Sequence, residues 1–483
     1  MVPAPLRAGL TGHRGNIMKL LIKNGLVVNA DRSEHADVLV DGPTIRQVGA
    51  DLAAGPDFRV LDAEGLMVIP GGIDPHTHLE MPTPVTRTAD DFENGGRAAL
   101  AGGTTTVIDF VNPLYGQSYL EAFDVCMERA AKATCNYSYH VTVTWFDDQA
   151  AREMRTLVEE RGVNSFKHFT TYKGSLMLEP EQMLQSFSLA RELGALCTVH
   201  AENDEIITYM QKKLLEKGIT QPRGHALSRP PVAEGEATCH AIALARIAGA
   251  PVYIVHMSCE DALHAVIRAQ ATGQEVYAES LCGHLLLDES VYFVDDPEIA
   301  ARYVMSPPYR SAEHREALWE GIRAGHIQVT ASDNCTFTQA DRNRGLDDFT
   351  KIPNGSPGLE DRMRIVFSEG VAKGRITPER FVAVTSANAA KIFNIHPRKG
   401  VVAPGADADI VLWDPEKRHT VSAKTHRHAI DYSVFEGMTF AGSPTLTILN
   451  GDIVFENDEV TAQPGQGQFI PRPPRQRIPP CHS

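Results

Sequence analysis

Two histidines two residues apart, His76 and His78 in GGIDPHTH (71–78), are the first residues that could do chemistry. In an extended segment, alternate residues point to the same side, so both imidazoles can face one point. Imidazole is the commonest neutral ligand for zinc and similar ions. An isolated HxH pair is weak evidence. Three more ligand types stand at the ends of apolar runs: His200 closes CTVH, His256 closes YIVH and Asp333 closes QVTASD. A single histidine at such a place is more often a hydrogen-bonded core residue. Four histidines and an aspartate in equivalent places point to convergence. Lys167 is the sixth candidate, in NSFKHFTTYKG (164–174) beside Phe166 and close to Phe169. A buried ammonium is costly, and burial together with nearby cations lowers a lysine pKa. A neutral amine can add carbon dioxide to give a carbamate, whose two oxygens can bridge two cations. Spacing alone leaves this open against a lysine that reaches solvent.

These residues can meet only if the elements bearing them end on one rim. Over 73–395, short β-rich runs alternate with helical stretches. TTTVIDF (104–110), YSYHVTVTW (137–145), SFKHF (165–169), LCTVHAE (196–202), VYIVHMS (252–258), EVYAES (275–280) and IQVTASD (327–333) read as strands. LEAFDVCMERAAKA (120–133), PEQMLQSFSLARELG (180–194) and GEATCHAIALARIAG (235–249) read as helices between them. Such alternation implies parallel βα units. Seven or eight units over about 320 residues fit a (β/α)8 TIM-like barrel, whose strand C-termini share one face. No GxGxxG loop opens a helix, which weakens a dinucleotide-binding open sheet. Short strands also fill KLLIKNGLVVNA (19–30) and DVLVDGPTIRQV (37–48), and return in ADADIVLWDP (406–415) and TLTILNGDIVFE (445–456). They predict a smaller β-sandwich built from both chain ends, 18–72 with 396–460. Residues 1–17 read as a disordered extension. The Pro-, Gly- and Arg-rich stretch 461–483 reads as a C-terminal tail with a disordered end.

Composition narrows the partners. Of 483 residues, 43% are apolar, and 61 acidic residues against 46 basic ones give a formal charge of −15. An acidic surface argues against nucleic acid and anionic membranes. No apolar run approaches the roughly 20 residues of a membrane span, and the first residues lack the apolar core of a secretory signal. Eight scattered cysteines without a CxxC pair suggest reduced thiols and a cytoplasmic protein.

The stretches GGIDPHTHLEMP, FENGGRAALAGGTTTVIDF, NSFKHFTTYKG, VHAEN, EGEATCHAIALA, YIVHMS, LLLDESVY, MSPPYR, IPNGSPG and SANAAKIFN resemble the hydantoinase/dihydropyrimidinase branch of the metal-dependent amidohydrolases. The resemblance implies a barrel with a β-sandwich and a two-metal centre. His76, His78 and Asp333 would hold one ion and His200 and His256 the other, with carboxylated Lys167 bridging them. Zn2+ is the implied ion, with Mn2+ or Co2+ able to use the same ligands. It implies opening of hydantoin or dihydropyrimidine rings by a metal hydroxide, with Asp333 carrying the proton and the Tyr172 phenol stabilising the oxyanion. Main-chain groups of Ser306 and Asn354 would read the ring. The loops around Met81, Thr83, Phe169 and Leu176 would cover its substituent. A homotetramer or homodimer is also implied.

Some positions depart from that pattern. Asn334 follows Asp333 where a histidine is usual, 82–88 (PTPVTRT) replaces a more apolar loop, and Gly283 and His284 stand for a Gln–Tyr pair. These differences bear on the substrate, leaving allantoinase and phthalimide-type imide hydrolase as alternatives. Dihydroorotase fits less well, because Glu80 occupies the place of a carboxylate-binding arginine. A non-catalytic scaffold of the same fold is the rival from another class, disfavoured by the full ligand set.

Overall fold

A computed structural model describes residues 19–83 and 86–475. The extension 1–17 and the end of the tail, 476–483, lie outside the described residues.

Eight parallel strands form the barrel: β1 (Gly72–Thr77), β2 (Thr104–Val111), β3 (Asn136–Thr142), β4 (Ser165–Phe169), β5 (Leu196–His200), β6 (Val252–Ile254), β7 (Val276–Leu281) and β8 (Val329–Ala331). They lie side by side in chain order. A parallel bridge between Thr77 and Asn334 joins the two ends. The strands are buried almost throughout, because helices cover the outside and side chains fill the inside. Arg362 fills part of the interior. Its Nη1 donates to Thr330 O at 2.8 Å, its Nη2 donates to Thr104 Oγ1 at 3.1 Å, and its Nε lies 3.5 Å from Asp74 Oδ2. The covering helices carry ordinary end signals. Helix Asp148–Glu159 starts where the Asp147 side chain accepts from Gln149 N and Ala150 N. Helix Pro231–Ala248 begins with proline and stops at Gly249, which is left-handed.

Four of the expected strands end early. The run 252–258 stops at Ile254 and the run 327–333 at Ala331, so His256 and Asp333 lie on the loops beyond.

Two further sheets come from the chain ends. One has four strands: Lys19–Lys23, Asp37–Asp41, Thr44–Gly49 and Phe58–Asp62. The other has seven, with Ile410–Thr420 and Thr439–Leu449 beside Met67–Pro70. Leu20, Val38 and Val40 of the first pack with Val68, Leu412 and Ile448 of the second in one apolar core. The chain is therefore a TIM-like barrel with a β-sandwich made from both ends.

Residues 461–475 are ordered on the barrel, contrary to the expected disordered end. Tyr137 N donates to Gln468 O at 2.9 Å and Ile470 N to Tyr137 O at 2.7 Å. Arg472 is buried and donates to Ser138 Oγ at 2.9 Å and Ser165 Oγ at 2.8 Å. The stretch resembles a disordered tail because every partner that orders it is distant in sequence. The seven described cysteines are free. No helix among the described residues is long and apolar enough to cross a membrane.

Candidate metal centre and ring cavity

β1 delivers His76 and, just past its end, His78. Asp109 on β2 holds the segment between them: its Oδ2 accepts from Thr77 Oγ1 at 2.7 Å and Leu79 N at 2.8 Å. The imidazole centroids lie 5.3 Å apart. Asp333 adopts φ 51°, a left-handed conformation that turns its carboxylate back over the rim. Its Oδ1 lies 3.0 Å from His78 Nε2 and 3.3 Å from His76 Nε2. These three side chains offer ligand atoms within 4.8 Å of one another.

The other side of the centre comes from β4, β5 and the loop after β6. His200 Nε2 faces Glu202 Oε2 at 2.8 Å, and Arg229 Nη1 donates to the same oxygen at 2.6 Å. With Nε2 carrying the proton towards Glu202, the Nδ1 lone pair of His200 points inward. There it meets His256 Nε2 at 2.8 Å. His256 has φ 39° and is held by Glu279, whose Oε1 accepts from His256 N at 3.0 Å and also pairs with His76 Nδ1. Lys167 is 1% exposed, with Nζ 4.8 Å from the Phe110 ring centre and 5.0 Å from that of Phe169.

Charge follows from burial. Burial drives His76, His200 and His256 down, so their imidazoles are neutral ligands. Burial also lowers Lys167 to about 7, against the attraction of Asp333 and Glu279. Burial pushes Asp333 up, but His76 and His78 outweigh it and bring the carboxyl to about 2. Burial acts on Glu202 in the same way, and Arg229 holds it below the usual range. Neutral imidazoles, an ionised carboxylate and a partly neutral amine, all turned inward, are a donor set that fits two divalent cations. The carboxylates behind His76 and His200 fix the tautomers, as outer partners of metal-bound histidines do.

Above this centre opens a cavity of about 710 Å3. His76, His78, Lys167, His200, His256 and Asp333 form one wall, and Met81, Thr83, Phe169, Tyr172, Leu176, Ser306 and Asn354 also line it. Tyr172 has φ 67°, and its backbone N donates to Asp204 Oδ1 at 2.8 Å. Its phenol hydrogen-bonds with the Ser306 and Asn354 side chains, and burial raises its pKa, so it stays a protonated donor at neutral pH. Asn354 Nδ2 donates to Ser306 Oγ at 3.0 Å. Gly355 after it must be glycine: a Cβ would stand 2.2 Å from Cys335 O.

Several supporting residues escape sequence reasoning. Arg342 is fully buried and donates to Val304 O at 2.7 Å and to the carbonyls of Pro353 and Gly355, and its Nε donates to Tyr432 OH at 3.1 Å. One guanidinium thus ties together the loops carrying Ser306 and Asn354. Glu202, Arg229 and Glu279 are likewise invisible as a set; the only local signal is a carboxylate two residues after His200. Asn112, Phe337, Arg344 and Ile352 are among the further residues of the cavity wall.

Asn334 and His284 are both held in the framework beneath the cavity. Asn334 is buried; its Nδ2 donates to Asp90 Oδ2 at 2.9 Å and its Oδ1 accepts from Gly358 N at 3.1 Å. Asp90 in turn pairs with His428 Nδ1 at 2.7 Å, so Asn334 pins the turn after Asp333 instead of facing the cavity. His284 Nε2 lies 3.1 Å from Pro307 O, beneath the Ser306 turn. Glu80 pairs with Arg87 at 2.9 Å and Lys132 at 3.0 Å and is not part of the cavity wall. It therefore bears on a substrate carboxylate less directly than its position after HxH suggests.

Residues 67–454 match the Amidohydrolase family model, and the chain belongs to that family. Within it the chain falls in the dihydropyrimidinase and hydantoinase branch. It is 46% identical to the dihydropyrimidinase of Rattus norvegicus, over 94% of this chain and 89% of that protein. It is 43% identical to the D-hydantoinase of Geobacillus stearothermophilus, over 94% of this chain and 97% of that one. The crystal structure of dihydropyrimidinase from Brevibacillus agri superposes with a TM-score of 0.93 at 42% identity, covering 95% of this chain and all of that one.

Proposed function

We propose that this chain is a cyclic amidohydrolase that opens hydantoins or 5,6-dihydropyrimidines to N-carbamoyl amino acids. The observation that carries the reading is the inward convergence of His76, His78, His200, His256 and Asp333 around the buried Lys167 amine. His76, His78 and Asp333 would hold one divalent cation and His200 and His256 a second, with Lys167, carboxylated, between them. Zinc suits this nitrogen and oxygen set, and manganese or cobalt can use it. When bound, such ions supply a water that ionises near neutral pH and positive charge opposite the developing oxyanion.

The remaining steps belong to the chain. Main-chain groups near Ser306 and Asn354 orient the flat ring. The Tyr172 phenol, kept protonated by burial, donates to the carbonyl oxygen as it gains charge. The Asp333 carboxylate accepts the proton of the attacking water and passes it to the ring nitrogen as the C–N bond breaks. Met81, Thr83, Phe169 and Leu176 exclude water around the ring substituent. The names of the similar proteins favour hydantoins and dihydropyrimidines over allantoin or phthalimide-type imides. Assembly as a homotetramer or homodimer and a cytoplasmic location complete the proposal, the latter supported by the free cysteines.

Zinc-loaded protein made with bicarbonate is expected to bind two ions per chain and to open dihydrouracil and hydantoin. With 13C-labelled bicarbonate it should give one carbamate carbon signal, absent from Lys167→Ala. Ring opening without any bound metal, or no carbamate in the loaded enzyme, would remove the bridging role of Lys167.

A further inference from the structure

A second cavity, of about 480 Å3, lies against the ring cavity. The two share Met81, Thr83 and Asn112 as walls. The partition is thin. Asn112 Nδ2 donates to Met81 Sδ at 3.1 Å, and a thioether is a weak acceptor on a flexible, unbranched chain. Behind it the annex is mostly carbon, with Phe92, Leu114 and Val125 on its walls. Its two charged wall groups differ. Asp109 is fully engaged, accepting from Thr77 Oγ1, Leu79 N and Phe110 N. Arg129, at the end of helix Tyr119–Arg129, is half-buried and has no ion pair or hydrogen bond from its side chain among the described residues. A partly buried guanidinium on a cavity wall presents a planar fork of N–H donors that matches an incoming carboxylate.

We propose that the annex receives an arm of the substrate: a ring amide bearing an apolar aryl or alkyl substituent that ends in an anionic group. The arm passes the displaced Met81 side chain, lies against the carbon walls, and brings its terminal anion to Arg129. This rests on the ring-opening activity proposed above and specifies which rings are preferred. A bare ring leaves the annex empty and gains nothing from it.

Three probes separate the parts: hydantoin, 5-benzylhydantoin and 5-(4-carboxybenzyl)hydantoin. Two variants remove annex features without touching the ring cavity. Val125→Trp fills the annex from its outer wall, where Val125 is 41% exposed and the bulk can be tolerated. Arg129→Met removes the cation and keeps the stem. Wild type should prefer the carboxylated arm to the plain one. Val125→Trp should lower kcat/KM for both arm-bearing rings about tenfold and leave hydantoin unchanged. Arg129→Met should lower kcat/KM about tenfold for the carboxylated arm alone. Equal losses on all three rings, or no loss on any, would overturn the annex. If wild type opens none of the rings, the ring-opening activity fails instead. The annex is then decided by calorimetry: the carboxybenzyl ring must bind more weakly to Arg129→Met than to wild type, and equal binding refutes it.

Discussion

His76, Lys167 and His200 sit on barrel strands, whereas Tyr172, His256, Ser306, Asp333 and Asn354 sit on the loops beyond them. The first group is held by the sheet. Lys167 is in register with Thr142 and Thr198 on either side and His200 with Phe169, while His76 lies at the irregularity between Asp74 and Thr77, where its N donates to Asp74 Oδ1 at 3.2 Å; alternation along the strand decides which way each side chain points. The loop group has no ladder. Tyr172, His256 and Asp333 instead adopt positive φ, which costs a non-glycine residue about 1 kcal/mol or more. Each is held there by buried polar groups: Asp204 on Tyr172 N, Glu279 on His256 N, and the Asn334–Asp90–His428 network behind Asp333. A strand sets where a ligand's backbone lies, and Glu279 and Glu202 then orient the imidazoles of His76 and His200. Loops place a reacting group only when a buried carboxylate, amide or guanidinium over-determines the turn.

The sharpest way to break this contrast is to change a loop group that moves protons. Asp333→Asn keeps the shape of the side chain and removes its basicity. Turnover of dihydrouracil should fall about 10³-fold or more, with the circular dichroism spectrum unchanged. Near-normal turnover would take Asp333 out of the proton path. Tyr172→Phe is next: kcat should fall about 10²-fold with little change in KM, as expected when one oxyanion donor is lost. If KM rises and kcat holds, the phenol binds substrate but does not act on the transition state.

The contrast also explains what could be read from the sequence. The strand-borne ligands were legible because an apolar run ending in histidine, and an HxH pair, carry their own periodicity. The barrel and the β-sandwich from both ends were legible for the same reason. His256 and Asp333 stand out by residue type, yet the apolar pattern extends the strands past Ile254 and Ala331, since nothing local shows the left-handed turns that end them. Arg229, Glu202, Glu279 and Arg342 carry no such periodicity. Arg229, Glu279 and Arg342 act through partners tens to hundreds of residues away, Glu202 also through its near neighbour His200, and an isolated buried charge has no signature in one sequence. Arg472 misled in the opposite direction: its Pro-rich surroundings resemble disorder, while its partners lie on β3 and β4.

On the strand side, Glu202→Gln tests how much the partner of a ligating histidine contributes. It keeps a hydrogen-bond acceptor for His200 and removes the charge that answers Arg229. Zinc affinity at the His200–His256 pair should drop about tenfold, in the range seen for outer partners of ligating histidines. Activity should return at saturating zinc, because the ladder still places His200. Activity that stays low with the metal site filled would show that Glu202 does more than orient the imidazole.

The smallest effect is expected from Arg342→Lys, and it tests the loop side most directly. An ammonium is a compact point charge and cannot span the carbonyls of Val304, Pro353 and Gly355 as the guanidinium fork does. Losing charge-assisted bonds of this kind costs about 1.5–3 kcal/mol of stability, so the melting temperature should fall. The consequence for function is specific. The segments bearing Ser306 and Asn354 lose their common tether, while the six residues around the proposed cations are untouched. KM for the ring should rise about fivefold with kcat and metal content held, the pattern of lost uniform binding. A matching fall in kcat would mean that the Tyr172 phenol, which bonds both Ser306 and Asn354, moves with the loops it touches. Ring reading and oxyanion stabilisation would then be one mechanical unit, not two.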